Sequence, residues 1–283
     1  MRIRISADST VDLSPEIIEK HKIAIMPLLV TLGDTTKRDG VDVTTDELFN
    51  YVKETKELPK TASPSITVYQ EFFDELLKDA DCVIHFVVSS KMSSCYSSAL
   101  KASEEYGHKV FVVDSRSLST GIALLVLRAC DMVERGVEPI IIAKECREMT
   151  KYVQASFILG NLDYMHKGGR CSGAMSLSAK FLRIKPAILV KDGEMVVGRK
   201  YMGKMEKVIE NYVNDTLTMY PDFDRKRVFI THTPIESSIV DIVKQQLDGV
   251  FDEIYETSAG ATIASHCGAG TLGILFMSTK PVK

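Results

Sequence analysis

No stretch of this chain stays apolar for long. The run from Ile122 to Leu127 is closed by Arg128, whereas a bilayer span needs about 20 consecutive apolar residues. A transmembrane helix is therefore excluded. The opening Met1-Arg2-Ile3-Arg4-Ile5-Ser6 reads as a strand, not as a secretory signal. Charge of one sign is also lacking: the net charge is −3 with acids and bases interspersed, which argues against a nucleic-acid partner. The six cysteines stand at 82, 95, 130, 146, 171 and 267, with no CxxC pair among them. That spacing gives no zinc or thioredoxin motif, and it suits buried thiols in a reducing cytoplasm. No GxSxG elbow, GxxxxGK[ST] loop or HExxH pair occurs. Gly268-x-Gly270-x-x-Gly273 matches the dinucleotide fingerprint in letters only. It lies too near the chain end to be followed by the helix, strand and acidic residue that the fingerprint needs. No metal and no cofactor is expected.

What is present is an ordinary globular composition, 45% hydrophobic and 26% charged over 283 residues, enough for one large domain or two compact ones. The first half alternates strand and helix signals. Arg2–Ser6, Ile23–Leu32, Val83–Val88 and Lys109–Val113 read as strands. Ser14-Pro15-Glu16, Thr44-x-x-Glu47 and Thr67-x-x-Gln70 read as helix starts. Ser93 or Ser94 can cap the next helix, and an apolar helix runs from Thr120 to Arg135 before Gly136. This order predicts a parallel sheet covered by helices. After about residue 150 the rhythm changes. Asp192-Gly193 between two apolar strands is a hairpin signal. Ser172 is expected to cap a helix to about Phe181, Met205–Met219 to form a long amphipathic helix, and the glycine-rich end to turn tightly. The expected architecture is α/β in two domains: residues 1–155 with a parallel sheet and residues 156–283 with a mixed sheet, meeting in a wide packed interface.

Four polar loops fall at the strand ends where open α/β sheets hold ligands. They are Ala7-Asp8-Ser9-Thr10, Lys60-Thr61-Ala62-Ser63-Pro64-Ser65, Ser89-Ser90-Lys91-Met92-Ser93-Ser94 and Ser265-His266-Cys267-Gly268-Ala269-Gly270. The third loop leads into a helix, whose N-terminal N–H groups suit an anion. The same serines also serve as plain helix caps. His266 can donate to a carboxylate or be a histidine satisfied by backbone. Arg170, presented by Gly168-Gly169, suits a phosphate or carboxylate, or is simply an exposed charge.

In order along the chain, these segments resemble the DegV family. Asp8-Ser9-Thr10-x-Asp12-Leu13 resembles its opening signature, and Met26-Pro27-Leu28 and Asp39-Gly40 its next landmarks. Thr61-Ala62-Ser63-Pro64-Ser65 is similar to TSQPS, and Ser89 to Tyr96 to SSKLSGTY. Gly168-Gly169-Arg170 resembles GGRIS, and His266 to Gly270 resembles HTGPG. The departures are Ala62-Ser63, Ser94-Cys95, Cys267 and Ala269. They bear on pocket shape and acyl preference more than on ligand class.

The resemblance implies a two-domain DegV-like fold and a cytoplasmic protein that binds a long-chain fatty acid in a buried tunnel. It implies an ATP-dependent fatty acid kinase subunit as partner, which would convert the carboxyl group to an acyl phosphate for phospholipid synthesis. Transient membrane contact is compatible with that role. Thr61, Ser93 and His266 are the implied carboxyl ligands. Arg170 is implied at the pocket mouth, in docking or phosphotransfer support. No catalytic residue is implied in this chain. The tunnel lining is expected among Phe157–Leu162, Phe181–Leu189 and Ile274–Phe276. The competing expectation is a stand-alone hydrolase or phosphotransferase using Ser93 and His266, although no acidic residue presents itself to orient the histidine.

Overall fold

The computed structural model describes residues 1–172 and 184–282. The helix expected from Ser172 to about Phe181 lies outside the described residues, apart from its first position. Residues 1–149 form β1 (Ile3–Asp8), α1 (Pro15–His21), β2 (Ala24–Met26), β3 (Leu29–Leu32), β4 (Thr35–Arg38), α2 (Thr45–Thr55), β5 (Lys60–Ala62), α3 (Ile66–Leu77), β6 (Cys82–Val87), α4 (Cys95–Ser103), β7 (Val110–Asp114), α5 (Thr120–Glu134) and α6 (Pro139–Met149). The remainder forms β8 (Val153–Ile158), α7 (Asp163–Gly168), β9 (Cys171–Ser172), β10 (Ile184–Lys191), β11 (Glu194–Met202), α8 (Met205–Met219), β12 (Phe223–His232), α9 (Ser237–Leu247), β13 (Glu253–Ser258), α10 (Ala261–Cys267) and β14 (Leu272–Ser278).

The first sheet has the order β2-β1-β6-β7 and is parallel throughout. Strands β2, β6 and β7 are nearly continuous apolar runs, whereas β1 alternates apolar residues with Arg4, Ser6 and Asp8. All six residues of β6 are buried, as expected for a strand covered on both faces. The second sheet is mixed, in the order β13-β12-β14-β8-β10-β11-β9. It is parallel at β12–β13 and β11–β9 and antiparallel at its other pairings. The β10–β11 hairpin turns at Asp192 and Gly193, whose φ values of 49° and 85° are both positive. That is the backbone a two-residue turn of this hand requires.

Helix α5 joins the two sheets. Eleven of its residues, from Thr120 to Met132, are buried. It packs on β1 and β6 of the first sheet and on β8, β12 and β14 of the second. A helix enclosed on two sides has no wet face to keep polar, hence the run Ile122–Leu127. One apolar core accordingly runs through both sheets, from Ile5 and Phe86 to Phe157 and Leu275.

Several elements differ from the sequence reading. The expected strand Ile23–Leu32 is two strands in two sheets. Pro27 has no N–H to extend the parallel ladder, and the chain turns there into a three-stranded antiparallel sheet of order β4-β3-β5. The capping box at Thr44–Glu47 forms in full. The box expected at Thr67–Gln70 does not: α3 begins two residues earlier, where Ser65 Oγ accepts from Val68 N at 3.3 Å. Helices α6, α7 and α10 lie in segments for which no helix was expected.

Candidate functional site

The carboxyl ends of β1 and β6 open onto a cavity of about 250 Å³ between the two sheets. Its walls carry Thr61 and Ser63 from β5 and the loop after it, Met92, Ser93 and Ser94 ahead of α4, and Thr262, Ile263, His266 and Cys267 from α10. Arg170 from the loop after α7, Met195 from β11, and Thr10, Leu28, Ala62, Val88 and Leu118 contribute the rest. Thr61, Ser93, His266 and Arg170, which lie far apart in sequence, thus share one cavity.

The position of His266 is set by the start of α10. A helix of seven residues is marginal on its own, so the bonds that hold it come from elsewhere. Asp39, 2% exposed, accepts from Ala261 N at 2.9 Å and Thr262 N at 3.2 Å. A carboxylate at a helix N-terminus meets otherwise unpartnered N–H groups and the positive end of the helix dipole. Ser9 Oγ donates to the same carboxylate at 2.8 Å. Asp12 accepts from Gly260 N at 2.8 Å and from Ser119 Oγ at 2.6 Å. Gly260 leaves room for both acids: a Cβ would stand 3.2 Å from Asp12 Oδ1 and 3.3 Å from Asp39 Oδ1, close enough that they would have to give by a few tenths of an ångström. The third acid of this region, Asp8, is also buried. It accepts from Tyr69 Oη at 3.0 Å and Val88 N at 3.1 Å, and His85 Nε2 lies 3.5 Å from it. These contacts hold the β6 end that leads to Ser93.

His266 Nε2 and Thr61 Oγ1 are hydrogen-bonded at 2.8 Å, and Nδ1 of the ring is buried without a partner among the described residues. Burial, reinforced by the Arg170 charge, pushes the imidazole pKa down to about 4. The ring is therefore neutral at pH 7 and does not switch charge there. Gly168 lies against it, and a Cβ at that position would stand 2.8 Å from Nδ1. Arg170 is exposed, and its Nη1 donates to Gly168 O at 2.7 Å.

Ser93 combines both roles considered for its loop. It lines the cavity, and its Oγ accepts from Cys95 N at 3.3 Å, a cap of α4, while donating to Cys95 Sγ at 3.0 Å. Ser94, the formal N-cap, makes no cap bond and pairs with Ser63 Oγ at 2.7 Å. The loop is pinned at its start: Ser89 Oγ donates to Gly193 O and Arg116 Nη2 to Asp192 O, both at 2.6 Å. The β10–β11 tip is thereby fastened beside the cavity. Burial raises the thiols of Cys95 and Cys267 to about 12, so both stay protonated.

Leu28, Val88, Met92, Leu118, Met195 and Ile263 supply apolar wall. Leu118, Ile263 and Cys267 also border a smaller pocket of about 20 Å³ that reaches Phe157 and Leu275. Of the apolar runs proposed from sequence, Phe157 and Leu275 are thus near the cavity, and 181–183 lie outside the described residues. Sequence reasoning placed Thr10 and Met92 in ligand-type loops without giving them a role, and missed Leu28, Val88, Leu118, Met195, Thr262 and Ile263 as lining. Thr262 was findable, because it precedes His266 by one helical turn once 261–267 is read as a helix. Among the described residues there is no group of His, Cys, Asp and Glu able to hold a metal, and no helix long and apolar enough to cross a membrane.

Residues 2–279 match the model of a family described as uncharacterised protein, DegV family. The chain belongs to the DegV family. Among its relatives is a fatty acid-binding protein of Thermotoga maritima, 32% identical over 287 residues and covering 96% of each chain. The fold matches a fatty-acid-binding DegV-family protein from Thermus thermophilus with a TM-score of 0.90 at 28% identity, covering 98% of this chain and 100% of that one. It also matches the fatty acid binding protein DegV of Bacillus subtilis with a TM-score of 0.83 at 27% identity, over 99% and 100% of the two chains. The landmarks that resembled the family in sequence have structural duties in this DegV-family chain. Asp8, Asp12 and Asp39 hold the strand ends and α10, and Gly168 makes room for the imidazole.

Proposed function

We propose that this chain binds one long-chain fatty acid and presents its carboxyl group to an ATP-dependent kinase subunit, which converts it to an acyl phosphate. The observation that carries the reading is the meeting of Thr61, Ser93 and His266 at one cavity with an apolar wall. Two hydroxyls and a neutral imidazole suit a carboxyl head, and the start of α4 near Ser93 adds a favourable dipole. Fatty-acid binding by the relatives named above supports the ligand class. Burial of a 16-carbon tail contributes ~0.8 kcal/mol per CH₂, on the order of 10 kcal/mol before entropy costs. The tail therefore holds the ligand and the polar groups aim its head. Arg170, exposed at the cavity, is assigned to docking or to support of phosphotransfer.

The stand-alone enzyme fits less well. Ser93 donates to Cys95 Sγ, and His266 Nε2 is engaged with Thr61. Among the described residues Nδ1 has no carboxylate to orient the ring, so they set up no serine–histidine pair. The test is mass spectrometry of ligand released from the denatured protein after expression in bacteria. Near-stoichiometric fatty acid supports the proposal. Recovery of nucleotides or sugar phosphates alone, or turnover by the purified chain without a partner, removes it.

A further inference from the structure

A second cavity, of about 560 Å³, lies at the end of β14 away from α10, roughly 20 Å along that strand. Its wall carries four cations, Arg128, Arg225, Lys226 and Arg227, and two acids, Asp131 and Asp224. Three consecutive basic residues reach it because β12 is irregular there. Phe223 pairs with Ser278 and Val228 with Phe276, so residues 224–227 stand against Met277 alone. A regular strand sends alternate residues to opposite faces, whereas an irregularity of this kind re-aims side chains.

The pairing of these charges leaves guanidinium groups over. Asp131 accepts from Arg227 Nη1 and Nη2, both at 2.9 Å, and from Lys226 Nζ at 2.8 Å. Arg227 Nε donates to Glu253 at 3.0 Å. Arg128 stands three residues before Asp131 on α5, where an acid is a natural partner, but that acid is already taken. Among the described residues Arg128 makes no hydrogen bond and no ion pair. Its Nε is closed off from solvent, its two Nη nitrogens are not, and the residue lines this cavity. Leu127, Ala129 and Cys130 beside it are buried. A guanidinium partly withdrawn from water without a counter-ion is costly. Arg225 Nη2 donates to the Gly249 carbonyl at 2.6 Å and has no carboxylate partner among the described residues. Asp224 is exposed and accepts from Lys226 N at 2.9 Å.

A guanidinium presents parallel N–H donors that match a phosphate or a carboxylate. Two of them without carboxylate partners suit a phosphate monoester best, since its charge at pH 7 approaches −2. The rest of the wall is apolar and partly aromatic, with Leu124, Met149, Tyr152, Phe223 and Met277. The cavity has the size of small-molecule sites in general.

We propose that this second cavity binds a phosphate monoester carried on a flat apolar body, with Arg128 and Arg225 holding the phosphate. The site is separate from the fatty-acid cavity and does not depend on that reading.

The test is isothermal titration of 1-naphthyl phosphate into the full chain, with palmitate present to occupy the first cavity. One site per chain is expected, and 1-naphthol should bind at least about tenfold more weakly. Arg128→Met keeps the apolar stem, removes the charge and should weaken naphthyl phosphate by about tenfold or more. Arg225→Ala, at an exposed position, should weaken it as well and serves as the second variant if Arg128→Met fails to fold. Palmitate affinity should be unchanged in both. Absence of saturable binding at millimolar naphthyl phosphate overturns the proposal, as does naphthol binding equally well. Native affinity in the folded variants, or displacement of naphthyl phosphate by palmitate, also overturns it. Failure of palmitate to bind would overturn the fatty-acid reading alone, because the two arginine variants report on the second cavity.

Discussion

Asp12 should make the protein less stable as the medium becomes mildly alkaline, and Asp12→Asn should abolish that loss. Burial raises its carboxyl pKa from the ordinary 3.8 to about 8, with the nearby Asp39 adding to the effect against the lowering bonds from Ser119 and Gly260. Between those values the folded chain holds a proton that the unfolded chain has released. Stability from this group is therefore full at low pH and is lost as pH rises through 8. His266 acts in the opposite sense. Its pKa falls from 6.5 to about 4, so below 6.5 the unfolded chain takes up a proton that the folded chain refuses. Between pH 5 and 6.5 the two effects offset each other, and above 6.5 Asp12 acts almost alone. At about 1.4 kcal/mol per unit, the native chain should lose roughly 1–2 kcal/mol from pH 6.5 to 8. Asparagine mimics the protonated acid: Oδ1 accepts from Gly260 N and Nδ2 donates to Ser119 Oγ. In the variant the decline above pH 6.5 should vanish, and the rise due to His266 should emerge below it. Urea denaturation followed by circular dichroism is the assay, since the chain has no tryptophan to report by fluorescence. Parallel stability curves for the two proteins would refute the assignment of a buried, protonated Asp12.

Ser93→Ala and His266→Ala should retain measurable fatty-acid binding, since each removes about 1.5–3 kcal/mol at most, yet lose most phosphorylation by the proposed kinase subunit. Misplacement of the carboxyl by about 1 Å can cost on the order of 100-fold in rate. Paired titration and acyl phosphate assays check this, and equal losses in both would refute it. Arg170→Ala should leave binding nearly intact while lowering acyl phosphate formation; collapse of binding in a folded variant would move Arg170 away from the mouth. Gly168→Ala should displace the imidazole, because the new Cβ would stand 2.8 Å from Nδ1. The expected signature is a changed His266 ring resonance by NMR with little change in the urea midpoint.

Much of the fold was legible because local and global preferences agree. The Asp192-Gly193 turn, the Thr44–Glu47 box and the enclosed helix at 120–134 each declare themselves within a few residues. The polar loops of the site were legible for a related reason, since strand ends in α/β sheets are where ligands bind. What was missed depended on distant partners. Helix α10 is short, and the acid that caps it is Asp39, 222 residues away from Ala261. No pattern within 259–277 announces it, so the segment read as glycine turns, and Thr262 went unnoticed with it. Ile23–Leu32 misled in the opposite way. Its apolar run is continuous, but the proline inside it ends one sheet and begins another.

The anchoring of α10 also sets an order of assembly. The acids that hold it, Asp12 and Asp39, are synthesised 222 to 248 residues ahead of the N–H groups they accept from, on residues 260–262. Until then Asp12 and Asp39 lack those backbone donors, and a nascent first half can lower the cost only by keeping them wet or protonated. The imidazole of His266 is seated when residues 260–262 meet Asp12 and Asp39. Ligand competence thus waits for that segment. A fragment that stops before residue 260 should fold poorly around its first turn and hold no fatty acid, however intact its parallel sheet.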